Sequence, residues 1–386
     1  MKSSSLVFTG DIGFDKYMEG RFKDENLLSK EVRSFLSCGD HLIVNVEGPL
    51  YEKEKDVNAT GAASLIHSMD PAVGDFLKDI GADIWNINNN HIMDAGSDGI
   101  LATLENAASH NALTLGAGRN EEEARKPIVL NEAGGIGLIG VGYQRACRKA
   151  GKDTPGCFSW SDLDVIKESI QNIKKSCRWC IIVAHAGEEF TALPAPYTRK
   201  RYLDYLDMGA DIVIAHHPHV PMNYETFPGK AIFYSLGNFI FDTDYQRSQF
   251  NTETGLFIKL DLTEDSFSFK PFGIKIDRVN ERVIEGELPG IFCDVNEEEY
   301  NRLIALSSKM FIENTKKQLR YLKPAEFKDA TEKDFIDNFY EPLRSGRVPG
   351  ECLDMQIIYP LSLKADEGAW KESRLESVKE YILKQL

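Results

Sequence analysis

The segment Ala215-His216-His217-Pro218-His219-Val220 places three of the chain's eight histidines within four positions, directly after the apolar run Asp211-Ile212-Val213-Ile214. A buried strand that ends and presents imidazoles on the following loop is the simplest reading. Neutral imidazole is the commonest metal ligand near physiological pH. Strand-end histidines also cap and stack, so the run needs further donors to mean anything. Four other apolar runs supply them, ending in Gly10-Asp11-Ile12-Gly13, Asn45-Val46-Glu47-Gly48-Pro49, Asn88-Asn89-Asn90-His91 and His185-Ala186-Gly187-Glu188-Glu189. Singly, Asp11 reads as a turn cap, Asn90-His91 as a loop held by side-chain to backbone bonds, and His185 as a satisfied loop histidine. Together they are oxygen and nitrogen donors suited to one or two Mn, Fe or Zn ions.

Such a set works only if the strands lie side by side and end at the same edge. Up to about residue 260, short apolar runs alternate with helical patterns, which is the signature of α/β architecture. Strands are expected at Leu6–Thr9, His41–Val46, Ile84–Ile87, Ile136–Val141, Ile181–Ala184, Ile212–Ala215 and Ile232–Tyr234, with helices at Pro71–Ile80, Ser97–Ser109, Asp162–Lys175 and Thr198–Met208. Glycine ends two of these helices, at Gly81 and Gly209, where a left-handed residue is wanted. In open α/β sheets ligands bind beyond the carboxyl ends of the strands, where all five donor segments fall. Gly255–Leu262 and Ser266–Ile276 alternate like antiparallel strands, and the pattern then turns helical over Glu297–Leu319, Glu332–Leu343 and Glu367–Leu383. The expected division is a core over 1–290 and a helical C-terminal extension over 291–386.

Bulk properties narrow the function. With 386 residues, 42% hydrophobic and 27% charged, the chain has an ordinary globular composition. A net charge of -15 and a pI near 5.1 argue against a nucleic-acid partner held by a broad basic surface. No segment approaches the roughly 20 apolar residues of a membrane span. Leu6-Val7-Phe8-Thr9 is too short for a signal-peptide core. The chain therefore reads as soluble: cytoplasmic as given, extracytoplasmic if a leader or anchor is trimmed. Seven scattered cysteines argue against a disulfide scaffold and read as reduced, and Cys177-x-x-Cys180 runs into a strand rather than opening a helix as a redox pair would.

The order Gly-Asp, acidic strand end, Asn-His, His, His-x-His resembles the calcineurin-like metallophosphoesterase superfamily, and more closely its poly-gamma-glutamate capsule-synthesis branch. The matching stretches are Thr9–Ile12, Asn45–Pro49, Asn89–Gly99, Gly116–Asn120, His217–Val220 and Tyr234–Asp242, within roughly residues 5–275. The resemblance implies a four-layer α/β/β/α sandwich with a metal site at one edge. Carried over residue by residue, it implies that Asp11 ligates a first metal and Glu47 bridges. Asn90, His185 and His217 would then serve a second metal, with His219 returning to the first. It implies that His91 is the general acid, that Glu189 orients water or substrate, and that Asn238 lies within reach of the site. The superfamily's histidine two residues after the first aspartate is replaced here by Gly13, its bridging aspartate by Glu47, and the branch's tryptophan after the first histidine by Ala186.

The reaction so implied is hydrolysis of a phosphoester or amide, by a metal-bound water with a histidine general acid. The partner is an anionic polymer such as poly-gamma-glutamate, or a small phosphoester or amide, with a membrane synthase complex as a further candidate. The competing readings are a non-catalytic polymer-binding subunit of a capsule synthesis complex and a generic phosphomonoesterase.

Overall fold

The computed structural model describes residues 3–52, 67–142, 148–191, 193–194, 196–249 and 251–301. The chain packs as two units, residues 1–192 with 202–294, and residues 193–201 with 295–386. The first unit holds the strands. In chain order they are β1 (Ser4–Gly13), β2 (His41–Val46), β3 (Ala82–Asn86), β4 (Leu113–Leu115), β5 (Ala117–Gly118), β6 (Ile128–Leu130), β7 (Ile136–Gly142) and β8 (Gly156–Cys157). There follow β9 (Trp179–His185), β10 (Ile212–His216), β11 (Tyr224–Phe227), β12 (Lys230–Phe233), β13 (Asn238–Phe241), β14 (Thr254–Leu262), β15 (Phe267–Asp277) and β16 (Arg282–Glu285). The helices that cover them are α1 (Lys30–Leu36), α2 (Val73–Asp79), α3 (Gly96–Ser109), α4 (Glu121–Ala124), α5 (Leu163–Ile173), α6 (Pro196–Met208) and α7 (Asp244–Arg247).

One sheet has eight strands in the order β16-β15-β14-β1-β2-β3-β4, with β13 also pairing with β1; a second has six, β11-β12-β10-β9-β7-β6. Alternation along each strand decides what lies between them. Leu6 and Phe8 of β1, Ile43 of β2 and Ile84 of β3 share one buried cluster with Ile181, Val183, Ile212, Ile214 and Phe233 of the other sheet. The intervening residues Val7, Val44 and Trp85 face the opposite way, into a cluster with Val32 and Phe35 of α1, Phe76 and Leu77 of α2, and Ile100 and Leu104 of α3. On the outer face of the second sheet α5 packs so closely that a side chain at Gly137 would meet Ile173 at 2.4 Å. The layers are α/β/β/α, as the resemblance implies.

The expected strands are present, and three differences matter. β1 runs on to Gly13, so Asp11 stands inside the strand, at a bulge: its register shifts between Phe8 and Asp11 against β2, and between Asp11 and Ile12 against β13. A bulge re-aims the side chain at its apex. Second, α1 and β13 were not foreseen. Third, Cys157 is disulfide-bonded, against the expectation of reduced cysteines, whereas Cys38, Cys177, Cys180 and Cys293 are free as expected. Cys157 is buried in the short antiparallel ladder that β8 forms with β5.

In the second unit, Tyr300 donates its hydroxyl to the Pro194 carbonyl at 2.7 Å, and the Arg199 guanidinium lies over its ring. The C-terminal helices expected from 291 on lie outside the described residues past Asn301. Among the described residues no helix is long and apolar enough to cross a membrane.

Candidate functional site

Parallel pairing brings the donor segments to one edge. β1, β2 and β3 are parallel neighbours, with Asp11 opposite Asn45 and Asn45 opposite Asn86. In the other sheet β9 and β10 run parallel, with His185 opposite His216. The inter-sheet faces of β9 and β10 end in His185 and His216, directly across from the bulged end of β1. Backbone bonds then lace the loops together: Glu47 N–H to the Ile12 carbonyl at 2.9 Å, Asp11 N–H to Gly237 at 2.9 Å, and Ala186 N–H to His216 at 3.1 Å.

The result is a buried cluster. Asp11, Glu47 and His185 are fully buried, and Asn90, His217 and His219 nearly so. Glu47 Oε1 lies 3.6 Å from His185 Nε2 and 3.6 Å from His219 Nε2. His219 Nδ1 is 3.5 Å from Asp11 Oδ2, and His185 Nε2 is 2.8 Å from Asn90 Oδ1. Two donor triads emerge, Glu47–His185–His217 and Asp11–Glu47–His219, each with its donor atoms within 4.8 Å of one another. Glu47 belongs to both.

The electrostatics fit a cation. Both Glu47 carboxylate oxygens are buried with no hydrogen-bond partner among the described residues, an arrangement that costs about 1–3 kcal/mol or more if nothing binds there. Burial, with Asp11 beside it, pushes the Glu47 carboxyl well above the usual carboxylate range. Burial, aided by the neighbouring imidazoles, holds His185 well below the usual histidine range, and burial brings His217 down to about 4. Imidazoles so held are neutral at pH 7 and offer the lone pair that ligation requires. The backbone is bent to the purpose as well: His217 has φ 98° and His219 φ 58°, left-handed conformations costing of order 1–3 kcal/mol each in non-glycine residues and concentrated at functional sites.

The structure thus brings together all six residues expected to hold metal. Glu189 stands at the rim, its carboxylate 3.9 Å from His217 Nε2 and its side chain 40% exposed. His91, next to Asn90 in the segment after β3, has its Nδ1 2.7 Å from Asp94 Oδ2. Burial lowers its pKa, with Asp94 opposing. Asn238 reaches the site as His219's partner, with Oδ1 2.9 Å from Nδ1.

Three contributors were missed. Asn45 donates to Asp11 Oδ1 at 2.9 Å and is itself held by Asn86 at 2.7 Å. His216 places Nδ1 3.3 Å from the same Oδ1; its membership of the histidine run was the available signal. His67, in a stretch with no motif, stacks edge-on against His91. The structure also accounts for Gly13: a side chain there would meet the Phe241 ring at 2.4 Å, and that ring packs 4.8 Å from His219. An aromatic wall occupies the space a histidine would need.

A two-sheet α/β sandwich with two carboxylate-sharing triads at its strand ends is a metallophosphoesterase-like protein. The chain belongs to the bacterial capsule synthesis protein family PGA_cap, whose model matches residues 5–243. It is 32% identical over 252 residues to the PGA biosynthesis protein CapA of Bacillus subtilis, covering 64% of this chain and 65% of that protein. It is 28% identical over 256 residues to the capsule biosynthesis protein CapA of Bacillus anthracis, covering 64% of this chain and 61% of that one. The match thus spans less than two thirds of either relative. Among solved structures it is similar to a purple acid phosphatase from yellow lupin, at 10% identity and TM-score 0.33, over 78% of this chain and 55% of that one. A likeness that distant says nothing of chemistry.

Proposed function

We propose that the protein is a metal-dependent hydrolase acting on an anionic capsule polymer, poly-gamma-glutamate or a relative, or on its precursor. The observation that carries this reading is the Glu47 carboxylate, buried, shared by two donor triads and without a hydrogen-bond donor among the described residues. Asp11, Glu47 and His219 would hold one divalent cation, and Glu47, Asn90, His185 and His217 a second. Bound there, Mn, Fe or Zn would polarise a phosphoryl or carbonyl oxygen and acidify a water.

The chain's own residues do the rest. Asn45 donates to one oxygen of Asp11, and the other accepts the His217 backbone N–H and lies toward His219. Asp94 fixes the His91 ring through Nδ1 and turns Nε2 outward, where it would pass a proton to the leaving group only from the protonated ring. The loops that close over the cluster exclude bulk water from it. The disulfide at Cys157 accords with an oxidising compartment, where a polymer-handling partner of a membrane synthase would work.

Elemental analysis with turnover tests the reading. The Mn-supplemented protein is expected to carry near-stoichiometric metal and to hydrolyse a generic phosphoester or a gamma-glutamyl amide. His217→Ala should lose metal and activity together. His91→Ala should keep its metal while turnover falls about 10²–10⁴-fold, the usual range for a lost acid. One observation favours a second reading, a polymer-binding subunit without catalysis: Phe241 fills the position of a further nitrogen donor. A metal-free protein that still binds polyglutamate would select it.

A further inference from the structure

Two imidazole–carboxylate pairs meet beside the donor cluster. His67 Nδ1 lies 2.7 Å from Asp15 Oδ2, and His91 Nδ1 lies 2.7 Å from Asp94 Oδ2. Their rings pack edge to face, centroids 4.2 Å apart and planes at 88°. Asp94 Oδ2 also accepts the His67 backbone N–H at 2.8 Å, so one carboxylate sets both residues. Phe241 backs the His67 ring at 5.1 Å, as it backs His219. The two side chains are 14% and 16% exposed, where those of His185 and Glu47 are at zero. They lie nearer solvent than the donor cluster.

Each Nδ1 faces a carboxylate, so each ring keeps a proton there and turns Nε2 outward. Neither Nε2 has a hydrogen-bond partner among the described residues. Other cations near this edge are committed: Lys16 pairs with Asp244 at 3.2 Å and Arg247 with Asp242 at 2.6 Å. We propose that His67, oriented by Asp15, is an oxyanion-binding residue of the site, whose Nε2–H as the imidazolium receives a carboxylate or phosphoryl oxygen of the substrate next to the group that His91 serves. This rests on the donor cluster being the substrate site, and it goes further by giving the substrate a second anchoring point. The groups facing His67 are Asp15 from the segment after β1, Asp94 and His91 from the segment after β3, and Glu189 from the segment after β9. Burial disfavours the imidazolium, but the Asp15 hydrogen bond and these negative charges outweigh it and raise the pKa. His67 is therefore a donor at and somewhat above the pH at which a free histidine loses its charge.

The test is calorimetric binding to the full-length, Mn-supplemented chain. Two probes separate the sources of the oxyanion: sulfate, a tetrahedral anion of constant charge near neutrality, and a gamma-glutamyl tripeptide, which offers carboxylates. His67→Gln is expected to weaken at least one probe by about tenfold at about pH 6, the scale of one charge-assisted hydrogen bond. Its metal content should stay at the wild-type level. Wild-type affinity should fall as pH rises past the His67 pKa, and the variant should lose that slope. Asp15→Asn, which keeps the side-chain shape, should move the slope to lower pH. A His67→Gln protein that binds both probes like wild type at every pH overturns the proposal, as does a wild type that binds neither. Oxyanion binding that depends on His67 without phosphoester or amide turnover would defeat the hydrolytic reading and leave this one standing. Turnover and binding both indifferent to His67 would do the reverse.

Discussion

Two buried carboxylates mark opposite ends of the two sheets, Asp211 before a strand of one and Glu47 after a strand of the other. Asp211, just before β10, accepts the Cys180 backbone N–H and the Lys174 ammonium at 2.7 Å each, and has the Arg178 guanidinium at 3.6 Å. Glu47, just past the end of β2, is more deeply buried and has no hydrogen bond to either oxygen among the described residues. Both are desolvated; only the first is repaid by the protein itself. Burying a carboxyl without hydrogen-bond partners is costly whether or not it is charged, so an unsatisfied carboxyl at one end of the sheets, among neutral imidazoles, is where a cation would offset that cost. At the other end the same sheets are closed by their own ion pairs.

The contrast breaks most visibly through Glu47. At 100 to 1,000 times its dissociation constant, a cation that binds only the folded state stabilises it by about 2.7–4.1 kcal/mol. Wild-type protein titrated with Mn should show that gain in urea unfolding. Glu47→Gln should show almost none, because it removes the ligand common to both triads. Equal gains in the two proteins would mean that the cation binds elsewhere.

The second test works at the other end. Asp211→Ala leaves Lys174 and the Cys180 N–H without their shared acceptor. Breaking a buried pair costs about 3–5 kcal/mol; Lys174 is 29% exposed and regains some hydration, which places the expected loss near 3 kcal/mol. Metal content should not change. A metal loss here would mean that the two ends are not independent.

The sequence made the donor end more legible than the closing end. Asp11, His185 and His217 stand in short motifs after apolar runs, and the parallel pairing of β2 with β3 follows from the helix expected between them. His67 carries no such mark, because its place depends on contacts with Asp15 and Asp94, 52 and 27 residues away in the sequence. The bulge at Asp11 was equally invisible: strand propensity extends β1 but does not say where its register slips. Asp211 carries no local mark of its role, since nothing around it announces that Lys174, 37 residues earlier, will reach it.

The smallest effect expected is at the start of β2, on the closed end. His41 Nδ1 lies 2.6 Å from Asp83 Oδ2, a hydrogen bond that raises the His41 pKa against its partial burial. The folded state then holds a proton that the unfolded chain has released. The contribution is complete below about pH 6.5, the unfolded value, and is lost as pH rises through the higher folded value. Asp83 is 42% exposed, so solvent screening limits the contribution to under about 1 kcal/mol. Asp83→Asn should flatten stability between pH 6 and 8 by no more than that while leaving metal content as in wild type. A larger change, or one of opposite sign, would show that this end of the sheets also carries a charge awaiting a partner.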